Sequence, residues 1–356
     1  MPQSNQNTAS DRKTPKPFLQ VFKGEVISPP PIWMMRQAGR YLSEYREVRA
    51  GISSFLEFCY TPDAAVEVTL QPLRKFGFDA SILFADILVI PDALGQKVEF
   101  KEGEGPVLEP IRDLAGLQKL NVDGVVSHLA PVFETLKRLS VEIPETTGLI
   151  GFAGAPWTVA VYMVEGRGRT ECERARAWAY RAPDEFQVLM DILVDATSRY
   201  LLAQVKAGAE VLQLFDSWSG VLSVSQFRSL VIEPTRRIVE TVKASAPDVP
   251  IIGFPRQGGV MIPEYVAETG VDGVSLDHSV PLDWARREIP ESCVLQGNLD
   301  NRLLVVGGDA LDHGVDDILE AMKGRRFIFN LGHGIVPQTP PEHVQRVIDR
   351  IRGNTA

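Results

Sequence analysis

The chain has 356 residues, which is long for one average domain but usual for a single α/β barrel. With 44% hydrophobic and 23% charged residues, it has the composition of an ordinary globular protein. Its 37 basic and 46 acidic side chains give a net charge of −9, which argues against nucleic acid and anionic membranes as partners, so an anionic ligand would need a local basic pocket.

The N-terminal segment, residues 1–17, is polar and lacks the apolar run of a secretory signal peptide. Its Ser, Asn, Gln, Thr and Pro content predicts a disordered tail. We expect the remainder, 18–356, to form one domain, since it contains no linker and no repeat beyond alternating strands and helices. No stretch is apolar for long enough to cross a membrane.

Eight short apolar runs are predicted to be buried parallel strands, because most are continuous rather than alternating. They cover residues 31–35, 80–85, 148–153, 210–215, 250–254, 273–276, 293–296 and 327–331. Helical patterns separate them, which favours the α/β class and a single (β/α)8 TIM-type barrel over a doubly wound sheet. The dinucleotide motif GxGxxG after the first strand and the phosphate-binding motif GxxxxGK[ST] are both absent.

Three of the intervening helices have recognisable ends. Thr61, followed by proline, predicts the start of a helix that ends at Gly77, with a kink or break at Pro72. A second helix is predicted over 184–207. The TPPE segment at 339–342 has the spacing of a capping box and precedes apolar residues at helical intervals.

Polar residues follow most of the predicted strands, at the barrel edge where functional groups collect. In chain order they are Arg36, Gln37, Arg40, Asp86, Tyr162, Asp216, Ser217, Asp277, His278, Asn298, Asp300 and His333. Arg36 and Arg40, beside a buried strand, indicate a site for carboxylates or phosphates, unless both pair with carboxylates of the protein itself. Asp86 lies in an apolar run and is expected to be paired, hydrogen-bonded or functional.

The remaining candidates each have a structural alternative. Asp216 and Ser217 can equally well cap the next helix. Tyr162 can belong to the core. His333, between two glycines, can face a ligand or simply belong to a turn, and its place after the last strand favours a functional role.

Several kinds of chemistry are poorly supported by the sequence. The three cysteines, Cys59, Cys172 and Cys293, are far apart and odd in number, so neither a disulfide framework nor a cysteine zinc site is indicated. This favours a reducing compartment, the cytoplasm. No HExxH motif occurs, and the residues around Ser217 lack the GxSxG pattern. The remaining arginines, aspartate, tyrosine and histidine could bind a polyanion and transfer protons without a metal or an organic cofactor.

Six motifs carry a family resemblance that runs from about residue 18 to residue 352. They are MRQAGRYL at 35–42, FADIL at 84–88, GFAGAPWT at 151–158, YMVEG at 162–166, GNLD at 297–300 and NLGHG at 330–334. In these motifs and their order the chain resembles the uroporphyrinogen decarboxylase family, and the RQAGRY segment is highly specific to it. The resemblance implies a (β/α)8 barrel, usually a homodimer, that uses neither a metal nor an organic cofactor.

The resemblance also implies a substrate and a reaction. The substrate is uroporphyrinogen III, a cyclic tetrapyrrole with four acetate and four propionate side chains. The acetates lose carbon dioxide one after another and become methyl groups, which gives coproporphyrinogen III in haem biosynthesis.

Site roles follow from the resemblance residue by residue. Arg36 and Arg40 resemble the carboxylate-binding arginines, one of which can also act in proton transfer, and Gln37 lies beside them. Asp86 resembles the aspartate that accepts hydrogen bonds from the pyrrole N–H groups. The residues around the reacting acetate and its neighbours correspond to Tyr162, Ser217 and His333. We assign catalysis to Asp86, Arg36, Tyr162 and His333, and we expect Asp86 also to stabilise a protonated pyrrole.

One segment departs from the family pattern, and two alternative functions remain. Where the family often has ESHAG, this chain has DSWSG at 216–220, which makes the assignment of Ser217 the weakest. One alternative is a corrinoid-linked methyltransferase on the same barrel, but no histidine–cysteine zinc ligand set accompanies Cys293. The other is a non-catalytic tetrapyrrole-binding protein, which would not need Asp86, Tyr162 and His333.

Overall fold

The computed structural model describes residues 15–101, 104–168 and 171–353, so most of the predicted N-terminal tail lies outside the described residues. Its central feature is a seven-stranded parallel sheet with the strand order β1-β4-β5-β6-β7-β8-β9. These strands are β1 (Ala80–Ile82), β4 (Gly148–Gly154), β5 (Val211–Asp216), β6 (Ile251–Pro255), β7 (Gly273–Ser275), β8 (Val294–Leu299) and β9 (Phe327–Leu331). Two further strands, β2 (Val98–Lys101) and β3 (Gly105–Leu108), form an antiparallel hairpin that the sequence analysis did not predict.

The first predicted strand, 31–35, makes only an isolated parallel bridge, between Ile32 and Phe329 of β9. Ile32 also accepts a hydrogen bond from the backbone N–H of Asp79, beside β1, at 2.9 Å. The segment thus hydrogen-bonds to both ends of the sheet and occupies the position of an eighth strand. It is short because residues 29–31 are all prolines, which lack the N–H groups that a strand ladder needs. The predicted (β/α)8 TIM-type barrel is confirmed.

A buried polar network ties this segment to the sheet. The Trp33 indole N–H donates to Gln296 Oε1 at 2.9 Å, and Gln296 Nε2 donates to Gln213 Oε1 and to Ser275 Oγ, both at 3.2 Å. All four side chains are buried. Because buried polar groups are costly without partners, these bonds favour the arrangement in which the 31–35 segment joins β5, β7 and β8.

Eighteen α-helices are found in the described parts of the chain. They are α1 (Pro17–Gln20), α2 (Ser43–Ala50), α3 (Phe55–Cys59), α4 (Pro62–Phe76), α5 (Val89–Ala93), α6 (Leu114–Leu117), α7 (Val125–His128), α8 (Ala130–Glu142), α9 (Pro156–Glu165), α10 (Glu173–Arg181), α11 (Pro183–Lys206), α12 (Val224–Phe227), α13 (Glu233–Ser245), α14 (Ile262–Thr269), α15 (Leu282–Glu288), α16 (Asn301–Val306), α17 (Gly308–Ala321) and α18 (Pro341–Arg352). None of the helices described is both long and apolar enough to span a bilayer.

The predicted ends of α4 and α11 agree with the structure to within a residue, but two details differ. Helix α4 continues through Pro72, because this part of the helix is buried and its packing offsets the lost backbone hydrogen bond. The capping box predicted at 339–342 is wrong. Pro340 is the N-cap of α18, and the Thr339 hydroxyl finds no partner among the described residues. A proline is well suited to the first position of a helix, which shifts the start to Pro341.

Candidate active site

The loop after residues 31–35 carries two arginines at the rim of the barrel. Arg36 has a left-handed backbone (φ 63°), and its side chain lies against Gly334, where an added Cβ would be 2.5 Å from Arg36 Cδ. Arg36 and Arg40 are both exposed, and within the described ranges neither forms an ion pair with a carboxylate. Pairing with the protein's own carboxylates therefore does not explain these two arginines.

Gln37, between them, is buried and holds the loop together. Its Oε1 accepts from the N–H of Met34 at 3.1 Å, and its Nε2 donates to the carbonyl of Ala80 at 3.2 Å. Its own carbonyl accepts the Tyr41 hydroxyl at 2.9 Å. The side-chain amide is thus engaged with backbone at both ends, which fixes the position of Arg36 relative to the start of β1.

Asp86 lies just beyond β1 and is partly buried. Its Oδ1 accepts a hydrogen bond from the N–H of Leu88 at 2.9 Å. Burial raises the pKa of Asp86 to about 6, although the Leu88 N–H and the positive charge of Arg36 both act in the opposite direction. The carboxyl group can therefore change its protonation state close to neutral pH.

Tyr162 projects from α9, and its half-buried ring meets the ring of Trp218 edge-on, with centroids 6.3 Å apart. Burial raises the pKa of the Tyr162 hydroxyl, and the nearby charge of Asp86 raises it further. Tyr162 therefore remains a neutral hydrogen-bond donor. Tyr162 is thus close enough to Asp86 for the charge of the carboxylate to act on its hydroxyl.

His333 follows β9, within electrostatic reach of Arg36 and Arg256. Burial lowers its pKa to about 3, and the positive charges of Arg36 and Arg256 contribute in the same direction. Its buried Nδ1 has no hydrogen-bond partner in the part of the chain that the structure describes. The imidazole is therefore neutral at physiological pH and keeps hydrogen-bonding capacity for a ligand.

Asp216 ends β5 and is buried together with Thr158. The Thr158 hydroxyl donates to Asp216 Oδ1 at 2.5 Å, and burial raises the pKa of Asp216 to about 7. The short helical turn that follows, Ser219–Val221, has no side-chain cap, so the capping interpretation of Asp216 and Ser217 is wrong. Ser217 is half-buried beside this turn.

Three other predicted site residues use their side chains to hydrogen-bond to backbone groups of the protein. Asp277 accepts hydrogen bonds from the N–H groups of Gln257 at 2.6 Å and Ser279 at 2.9 Å. The Asn298 amide donates to the carbonyl of Asp277 at 3.1 Å. Asp300 caps α16. These side chains shape the loops around the site. His278 is exposed, and its charge lowers the pKa of His333.

Arg256, immediately after β6, was missed by the sequence analysis. The rule that functional groups follow barrel strands could have found it, since it is the first charged residue after the predicted strand 250–254. Within the described chain no group of three or more histidine, cysteine, aspartate or glutamate side chains is arranged to hold a metal ion.

Comparisons of the sequence with a family model and with known proteins give the same family over nearly the whole chain. The family described as "Uroporphyrinogen decarboxylase (URO-D)" matches residues 13–353. A protein named uroporphyrinogen decarboxylase from Rhodospirillum rubrum is 54% identical over 340 residues, which cover 96% of this chain and 98% of the relative. One of the same name from Maricaulis maris is 52% identical, with coverages of 95% and 98%. Among solved structures, a methyltransferase from Methanosarcina mazei is similar in fold (TM-score 0.76, 21% identity, 95% of this chain and 98% of the other).

Proposed function

The chain belongs to the uroporphyrinogen decarboxylase family and has the family's carboxy-lyase activity, and we propose how its own residues perform it. The reaction removes carbon dioxide from the four acetate side chains of uroporphyrinogen III and gives coproporphyrinogen III. The observation that carries this conclusion is the match over residues 13–353, with relatives of that name at 50–54% identity. The methyltransferase similarity, at 21% identity, concerns the fold alone.

Substrate binding is proposed to begin with Arg36 and Arg40. Both guanidinium groups are exposed at the barrel mouth without an ion pair to a described carboxylate, and a guanidinium forms two parallel hydrogen bonds with a carboxylate. Gln37 supports them by fixing the loop. We further propose that Ser217, immediately after β5, contacts the substrate next to the reacting acetate.

Asp86 is proposed to hold the macrocycle and to stabilise the transient cation. Protonation of a pyrrole α-carbon produces an iminium-like ring, and breaking the bond between the acetate methylene and its carboxylate sends the electron pair into that ring. A proton then converts the exocyclic methylene into a methyl group, and loss of the α-carbon proton restores the pyrrole. An ionised carboxylate beside the cation lowers the barrier most when it is partly removed from water, as Asp86 is.

Tyr162 and His333 are proposed to surround the reacting acetate. The burial of both side chains keeps each of them neutral, so that they can hydrogen-bond to the acetate without adding a charge to the site. A low-polarity environment around a carboxylate also favours its conversion to uncharged carbon dioxide. The four residues Arg36, Asp86, Tyr162 and His333 then form the catalytic set.

The remaining features of the proposal concern the whole protein. We propose that residues 18–356 act as one domain preceded by a polar tail, that the protein works in the cytoplasm, and that it forms a homodimer. We also propose that neither a metal nor an organic cofactor takes part. Measurement of the molecular mass in solution tests the homodimer, and metal analysis of the active enzyme tests the absence of a metal.

The decisive experiment is an anaerobic incubation with uroporphyrinogen III, followed by oxidation and chromatographic counting of carboxyl groups. Products with seven, six, five and four carboxyl groups are expected in succession, without added metal or cofactor. Unchanged substrate in the presence of folded protein would reject the activity. Asp86→Asn is the matched variant, since it keeps the shape of the side chain and removes its charge.

A further inference from the structure

Arg256 occupies a well-fixed position at the carboxyl end of β6. Its N–H donates to the carbonyl of Asp216 at 3.1 Å, and its carbonyl accepts the Ser219 hydroxyl at 2.7 Å. The next residue, Gln257, has a left-handed backbone (φ 61°) and donates its N–H to Asp277 at 2.6 Å. The backbone on both sides of the guanidinium is therefore held, which limits where the side chain can reach.

The guanidinium itself has few partners. Across the described ranges Arg256 forms no ion pair, its Nη1 lies a long 3.5 Å from the carbonyl of Ser217, and its buried Nε has no hydrogen-bond partner. Arg325, which is buried and also leaves its Nε without a partner, donates from Nη2 to three backbone carbonyls. A half-buried cation that lacks such bonds is costly unless a ligand supplies them.

The position of Arg256 in the ring of strands is opposite to that of Arg36. From β6 the order runs through β7, β8 and β9 to the 31–35 segment, so that Arg256 and Arg36 are four places apart in a ring of eight. Both nevertheless act electrostatically on His333. The two arginines thus start from opposite sides of the barrel mouth, and both are close enough for their charges to lower the pKa of His333.

We propose that Arg256 binds a second carboxylate side chain of the substrate, across the mouth from the one bound by Arg36 and Arg40. The proposal rests on the proposed function, because uroporphyrinogen carries acidic side chains all around its ring. A macrocycle that covers His333 presents carboxylates to both sides of the mouth at once. Binding at two opposite points fixes the rotation of the ring, which a single basic cluster cannot do.

The test compares Arg256→Gln and Arg256→Lys with Arg228→Gln, an exposed arginine paired with Glu264. The measurements are kcat and KM for uroporphyrinogen III, and the anaerobic affinity for coproporphyrinogen III, which requires no turnover. Arg256→Gln should raise KM by about 10- to 100-fold and change kcat by less than about threefold. Arg256→Lys should recover part of the loss because it restores the charge without the planar fork. Arg228→Gln should match the wild type.

Three results would overturn the proposal. They are an unchanged KM for Arg256→Gln, a loss confined to kcat, and a variant that no longer folds, since that would give Arg256 a structural role. The decarboxylase function is judged separately by the wild type. If the wild type binds coproporphyrinogen III without decarboxylating uroporphyrinogen III, and Arg256→Gln weakens that binding, the carboxylate site stands while the activity falls.

Discussion

Replacing Asp86 by Asn should make the protein more stable and nearly inactive. The amide keeps an oxygen that can accept the Leu88 N–H, as the carboxylate now does at 2.9 Å, and it carries no charge. The substitution therefore isolates the consequence of burying an ionised group at this position. Loss of the carboxylate should lower kcat by about 100-fold or more, as expected for a group that stabilises charge in a transition state.

The size of the stability gain follows from the pKa of Asp86, which burial raises from 3.8 to about 6. Since the folded-state pKa lies above that of the unfolded chain, ionised Asp86 destabilises the fold. This cost is absent below about pH 4, grows as the pH rises and is complete above about pH 6 to 7. At about 1.4 kcal/mol per pKa unit, the full cost is about 3 kcal/mol.

Denaturant unfolding of the wild type and Asp86→Asn at pH 5 and pH 8 measures this cost. The variant should be more stable by about 1.5 kcal/mol at pH 5 and by about 3 kcal/mol at pH 8. Asp248→Asn, at an exposed loop position, should show no such difference. Equal stability of wild type and Asp86→Asn at pH 8, or a gain that does not depend on pH, would refute the conclusion that burial raises the pKa of Asp86 and destabilises its ionised form.

Three further substitutions and one labelling experiment have definite outcomes. Arg36→Met should raise KM by about 10- to 100-fold. Because it removes a positive charge that lowers the pKa of Asp86, it should also move that pKa upward in the pH profile of kcat/KM, and an unchanged profile would contradict this. His333→Gln should gain stability over the wild type as the pH falls below about 6.5, because the depressed pKa of His333 opposes protonation in the folded state. Gln204→Met should lower the free energy of unfolding by about 2–4 kcal/mol, because the Gln204 amide hydrogen-bonds to both the N–H and the carbonyl of buried Phe152, at 2.9 and 2.8 Å. Gln187→Met, on the exposed side of the same helix, should leave the stability unchanged. All three cysteines are buried and should react with a thiol reagent only after unfolding.

Most of the barrel could be predicted because its strands are buried on both faces and therefore read as apolar runs. The strand from 327 to 331 was predicted at its observed bounds, and six others overlap their observed positions. The 31–35 segment was placed correctly but is not a regular strand, since the prolines before it remove hydrogen-bond donors. The β2–β3 hairpin was missed because its side chains are only partly buried and give no clear periodic signal.

The site was less predictable than the fold, because a polar residue at a strand end can face either the pocket or the backbone. Asp86 and Asp277 both follow a predicted strand, and both were candidates on that ground. Only the structure shows that Asp277 satisfies loop N–H groups, while Asp86 keeps one carboxylate oxygen for another use. Arg256 could have been found as the first charged residue after a predicted strand, but the partners that it lacks depend on the folding of β5 and β6 around it and are visible only in the structure.

The charges at the barrel mouth explain how an acidic protein can bind an anionic substrate. A protein of net charge −9 must attract a substrate with many carboxylates. At the barrel mouth, Arg36, Arg40 and Arg256 form no ion pairs with the described carboxylates, so their charges stay available to a substrate. Burial raises the pKa values of Asp86 and Asp216 to about 6 and about 7, so that these two carboxylates carry less charge below neutral pH than above it. His333 stays neutral, because burial and the charges of two of these arginines lower its pKa. The positive field of the mouth therefore comes from guanidinium groups, which do not titrate, and substrate capture should weaken with added salt. Ionisation of Asp86 and Asp216 should weaken it further as the pH rises through about 6 to 7.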